Sequence, residues 1–91
     1  PQSTGIGGDC FCLYAPKGAS RPVALNGSGR APAAATPAAL RAAGVDRLHN
    51  TAPHAVTVPG AISAWETLNK AHGRKPLGEL LEPAIRCAEE G

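Results

Sequence analysis

Glycine spacing in the first third of the chain constrains the fold more than any other feature. Gly5-Ile6-Gly7-Gly8-Asp9 leads into the apolar run Cys10-Phe11-Cys12-Leu13-Tyr14. Beyond a turn of Pro16-Lys17-Gly18-Ala19-Ser20, Val23-Ala24-Leu25-Asn26 runs into Gly27-Ser28-Gly29-Arg30. Short β-prone runs separated by turn residues predict a hairpin, with strands over 11–14 and 23–26. Gly5, Gly7 and Gly8 allow positive φ and tight strand packing. Gly27 and Gly29 let backbone come close to another backbone or to a ligand. A phosphate-cradling loop is a poor match, because no lysine follows at the required position and a strand follows in place of a helix.

The rest of the chain reads as helices and loops. Thr36 caps, Pro37 suits a first helical position and Gly44 suits a left-handed stop, which predicts a compact helix between them. Residues 45–53 mix charge without a period and read as a loop. Weak alternation over 55–58 predicts a third short strand, ended by Pro59-Gly60. Ala61, Ala64, Trp65, Leu68 and Ala71 share one face of a helix over 61–72, with Gly73 as its stop and Trp65 as a core residue. Leu77, Leu80, Leu81, Ala84, Ile85 and Ala88 form an apolar stripe on a last helix that starts at Pro76. Pro83 lies inside that stripe. It removes one hydrogen bond, and the unbroken phase predicts one bent helix in place of two.

Together these elements make an α+β chain: a glycine-rich β-hairpin, a short strand and two to three helices. Hydrophobic residues are 43%, yet there is one Phe, one Trp and one Tyr. Alanine carries much of the apolar mass and adds little burial energy per residue. A single domain this small buries only about 60% of its unfolded surface. A thin core and the lack of a starting Met therefore suggest part of something larger.

Charge excludes several function classes. Nine basic and seven acidic residues leave a net +2 spread along the chain. With no basic run interleaved with aromatics, nucleic acid is not an expected partner. No apolar run approaches the ~20 residues that span a bilayer, so no membrane is expected either. Cys10 and Cys12 share a strand face, but no second cysteine pair stands at zinc spacing. These two and Cys87 read as small buried hydrophobes, which suits a reducing compartment, and neither metal nor cofactor is expected. His49, His54 and His72 lack a paired acid or base, and His72 suits the end of a helix, where the dipole favours a cation. Asp9 reads as a cap for backbone amides.

Four motifs carry a resemblance. Gly5-Ile6-Gly7-Gly8 before a strand, Ala31-Pro32-Ala33-Ala34-Ala35-Thr36 after the next, Val58-Pro59-Gly60 opening a helix, and Leu80-Leu81-Glu82-Pro83-Ala84-Ile85-Arg86 with Ala88-Glu89-Glu90-Gly91 resemble the γ-glutamyltransferase (gamma-glutamyltranspeptidase) family. They occur in the family's order and cover essentially the whole chain. The resemblance implies part of the large subunit of an N-terminal-nucleophile hydrolase, an αββα fold. Residues 1–91 would be a partial domain, with the hairpin and Ala-Pro-Ala motif over 5–36 and a helical segment over 59–91. Residues 1–4 would trail from a preceding helix, and the loop over 45–53 would vary in length among members.

The resemblance also implies a mechanism. A self-cleaved precursor exposes a threonine whose own amine activates its hydroxyl, and a γ-glutamyl or related acyl amide such as glutathione is transferred or hydrolysed. None of Thr4, Thr36, Thr51, Thr57 or Thr67 lies in a matching motif, so this chain is expected to hold no catalytic residue. Its partners would be the acyl-amide substrate, the remainder of the large subunit and the small subunit, in a cytoplasmic or periplasmic setting.

In the glutathione enzymes of that family an arginine three residues ahead of Ala-Pro-Ala grips the substrate's α-carboxylate. Here Ser28 stands at that position, and a serine cannot supply a bidentate charged clamp. Arg30 shares an extended face with it, about 6.6 Å away. Substrate binding is therefore assigned to Arg30, with Ser28 lending a hydroxyl. The competing assignment is that Arg30 pairs structurally with a carboxylate of this or the other subunit. Two other readings remain: a cephalosporin-acylase-like amide hydrolase, and a small binding module without chemistry. The module reading expects no large apolar face left exposed.

Overall fold

The computed structural model describes residues 5–91. The expectation for residues 1–4 lies outside them. Two strands, β1 (Cys10–Tyr14) and β2 (Val23–Gly27), are followed by α1 (Pro37–Ala42), a 3-10 turn (Pro53–Ala55), α2 (Ala61–His72) and α3 (Leu77–Glu90).

The strands pair antiparallel, from Cys10 opposite Gly27 to Tyr14 opposite Val23. Ala19 N–H donates to the Pro16 carbonyl at 3.0 Å to tighten the connection. Gly18 adopts φ +82°, where only glycine sits without strain. Cys10 and Cys12 are half-buried on the face towards α2, and all three cysteines are free thiols.

The helices begin and end largely where their caps predict. In α1, Thr36 Oγ1 accepts the Ala39 N–H at 3.1 Å, and Gly44 leaves the helix at φ +77°. For α2 the 61–72 span is as expected, but Gly73 ends it as an extended residue (φ −69°, ψ 151°). Asn69 Nδ2 then donates to the Lys75 carbonyl at 3.0 Å and ties the linker to α2. One continuous helix, α3, runs through Pro83.

Two expectations are corrected. No third strand forms over 55–58. Pro53 opens a tight turn in which Val56 N–H bonds the Pro53 carbonyl at 3.2 Å, which takes residue 55 out of extended pairing. Pro59 has no N–H to give. Only Val58 pairs, donating to the Arg30 carbonyl at 2.9 Å. Gly5, Gly7 and Gly8 do not adopt positive φ, and a Cβ at Gly5 or Gly7 would meet nothing. Their bend is held instead by Gly8 N–H on the Gly5 carbonyl at 3.3 Å.

Among the described residues, the side chains buried as core are Ala61 and Ala64, where α2 lies on the hairpin. Trp65 and Leu68 are half-buried and Ala71 is exposed, so the expected core position of Trp65 is only partly met. On α3 no residue is buried, and Leu80 and Ile85 are 50% and 45% exposed. The radius of gyration is 17.4 Å, against about 12 Å for a compact domain of this length. The chain is a slab of 50 × 43 × 20 Å. No described helix is long and apolar enough to cross a membrane.

Candidate functional site

The N-terminus of α2, the bend before β1 and the end of β2 meet at one point. Both Gly60 and Ala61 donate their N–H groups to the Gly8 carbonyl, at 3.1 and 3.0 Å. The bend thus satisfies the orphan amides that a helix start leaves free. Gly60 offers no side-chain cap, so this carbonyl does the capping.

Glycine makes the meeting possible. A Cβ at Gly60 would overlap the Gly27 carbonyl, one at Gly27 would overlap the Ala64 side chain, and one at Gly29 would overlap the Val58 carbonyl. The close backbone approach expected of Gly27 and Gly29 is therefore made against α2 and its entry segment.

Polar contacts complete the clamp. Gly29 N–H donates to Asp9 Oδ1 at 2.8 Å, and Ser28 N–H donates to Asn26 Oδ1 at 3.0 Å. Asp9 caps a backbone amide as its sequence position suggested. Its partner lies across the clamp, twenty positions along the chain.

Ser28 and Arg30 sit on the outside of this clamp. Burial alternates past the end of β2: Gly27 and Gly29 are half-buried, Ser28 and Arg30 exposed. Ladder pairing stops at Gly27, so both side chains lie beyond the end of β2. Salt bridges among the described residues join side chains four apart: Glu66–Lys70 in α2, Glu82–Arg86 in α3, and Lys75 of the linker with Glu79 of α3. Arg30 takes part in none of them. Sequence reasoning missed the role of Val58, whose N–H fixes the Arg30 backbone; the motif Val58-Pro59-Gly60 was the available signal.

The histidines are dispersed. His72 stacks on Tyr14 with ring centroids 4.7 Å apart at 43°, joining the end of α2 to the end of β1. His54 sits in the 3-10 turn and His49 in the loop before it. No three His, Cys, Asp or Glu side chains are grouped to hold a metal among the described residues. An apolar groove of about 380 Å³ runs between α2 and α3, lined by Tyr14, Trp65, Leu68, Leu77, Leu80 and Leu81.

Comparison with known proteins bears on the family of the chain. The family model for gamma-glutamyltranspeptidase matches residues 1–91. The glutathione hydrolase-like YwrD proenzyme of Bacillus subtilis (strain 168) is 34% identical over 97 aligned residues, covering 100% of this chain and 17% of that protein. Scoloptoxin SSD14 of Scolopendra dehaani is 33% identical over 91 residues, again covering 100% of this chain and 15% of that protein. The capsule biosynthesis protein CapD proenzyme of Bacillus anthracis is 45% identical over 42 residues, 46% of this chain and 8% of that protein. The chain thus spans about a sixth of the length of the first two relatives. No solved structure matches it significantly.

Proposed function

The chain belongs to the gamma-glutamyltranspeptidase family, and from that premise we propose that it is a segment of an enzyme that transfers or hydrolyses γ-glutamyl or related acyl amides. In this reading residues 1–91 are a partial domain of the large subunit of an N-terminal-nucleophile hydrolase. The nucleophile is a threonine released by self-cleavage elsewhere in the precursor, and the proenzyme names of two relatives support that arrangement. Its hydroxyl attacks the amide carbonyl, its own amine takes the proton, the amine product leaves, and water or a second amine resolves the acyl-enzyme. The slab's exposed faces are surfaces for the rest of the precursor to cover. Phe11 and Leu13 on the hairpin are 68% and 77% exposed, and the leucine stripe of α3 is open as well. The small-module reading expected such faces to be closed, and they are not.

This segment binds substrate. Arg30 takes the anionic end of the acyl donor through a charge-assisted, two-pronged contact, and Ser28 adds a hydroxyl. The observation that carries the assignment is the exposure of both side chains on the outside of the clamp, with Arg30 in no ion pair among the described residues. In the intact processed enzyme, Arg30→Ala should lower kcat/KM for a carboxylate-bearing acyl donor by about tenfold or more. An unchanged value would return Arg30 to a structural role.

A cephalosporin-acylase-like activity is the second reading, favoured by Ser28 standing where an arginine clamp is expected. Parallel assays of a glutathione analogue and a glutaryl amide on the intact enzyme separate the two by which donor has the higher kcat/KM.

A further inference from the structure

The segment that carries Ser28 and Arg30 is held at both ends and has a glycine in its middle. At one end Gly27 closes the ladder opposite Cys10, and at the other the Arg30 carbonyl accepts the Val58 N–H. Between them lies Gly29, the residue type with the widest backbone freedom. A rotation at Gly29 would swing the guanidinium, which sits at the end of a long flexible stem, by several ångströms. The long-range polar contact that opposes this rotation is the Gly29 N–H donated to Asp9 Oδ1 at 2.8 Å. A carboxylate acceptor makes such a bond stronger than an amide carbonyl would. Asp9 itself is anchored, since Gly8 before it holds the start of α2 and Cys10 after it opens the ladder.

We infer that Asp9 is a positioning residue: its carboxylate fixes the Ser28–Arg30 backbone and so sets where the guanidinium meets a carboxylate-bearing acyl donor. This rests on the assignment of Arg30 to substrate binding. Asp9 touches no reacting atom in this account. Its effect belongs to the binding of acidic donors, so it is a specificity determinant for that class.

The test uses the intact processed enzyme with Asp9→Ala, Asp9→Asn and Arg30→Ala, an acyl donor carrying a carboxylate and a neutral donor of similar size. Asp9→Ala should raise KM for the acidic donor about fivefold, with kcat and the neutral donor's KM unchanged. Hydrogen exchange of the peptide spanning residues 27–31 should quicken about tenfold in the same variant. Asp9→Asn keeps an oxygen acceptor and should restore most of both. Should Asp9→Ala not accumulate, Asp9→Gly serves, since it likewise removes the carboxylate. An Asp9→Ala enzyme with an unaltered KM for the acidic donor, beside an impaired Arg30→Ala enzyme, overturns the role of Asp9 alone. Equal losses on both donors also overturn it, by showing a general structural defect. An unimpaired Arg30→Ala enzyme overturns the assignment beneath it.

Discussion

The clamp and the last helix are built on opposite principles. Around Gly8, Gly27, Gly29 and Gly60, backbone packs on backbone, hydrogen bonds join residues far apart in sequence, and removing space is costly. Along α3 the backbone bonds are all local, side chains carry an apolar stripe, and not one of its residues is buried. The first region holds its geometry from within the chain. The second has amphipathic chemistry that the described residues cover only in part: Leu77 and Leu81 are half-buried, Leu80 and Ile85 exposed.

Substitutions can break or sharpen that contrast. The largest effect is expected at Gly29→Ala, where the new methyl would overlap the Val58 carbonyl. Backbone cannot yield as a flexible side chain can, so the intact protein should lose about 3 kcal/mol or more in thermal or denaturant unfolding. A loss below 1 kcal/mol would mean the clamp is looser than described. Next comes Leu80→Ala. If the rest of the precursor covers α3, the intact protein should lose about 2 kcal/mol or more. A cost close to zero would show that Leu80 stays in water, and the stripe would need another account. The smallest effect is expected at Gly78→Ala in the first turn of α3, where a Cβ meets nothing. Helix propensity alone should then raise stability, by up to about 1 kcal/mol. Opposite signs at Gly29 and Gly78 would separate the two regions most cleanly.

Local chemistry explains which parts were legible from sequence. Helix α2 was readable to the residue, because Pro59-Gly60 and Gly73 bracket an unbroken period. The cap of α1 was readable because Thr36, Pro37 and Gly44 each act on their own neighbours. The hairpin gained one residue per strand, Cys10 and Gly27, which pair only once the register is known. Residues 55–58 misled because weak alternation was weighed without the turn that Pro53 starts. The close approach at Gly27 and Gly29 could be anticipated in kind. Its partners, Val58 and Ala64, could not, since contact across that separation leaves no local mark. For the same reason Asp9 was legible as a cap but not as the holder of Gly29. Ser28 and Arg30 were read on an extended segment, and both are exposed just past the end of β2.

The bond from Val58 N–H to the Arg30 carbonyl has a consequence for how such a chain can change. It staples together the two ends of the long excursion that holds α1 and the 3-10 turn. Insertions or deletions inside that excursion alter only the entropy of a loop whose mouth is already shut, and this grows slowly with length. Lineages or engineers could rebuild the excursion, or graft a new recognition element there, without disturbing the register of the residues at its base.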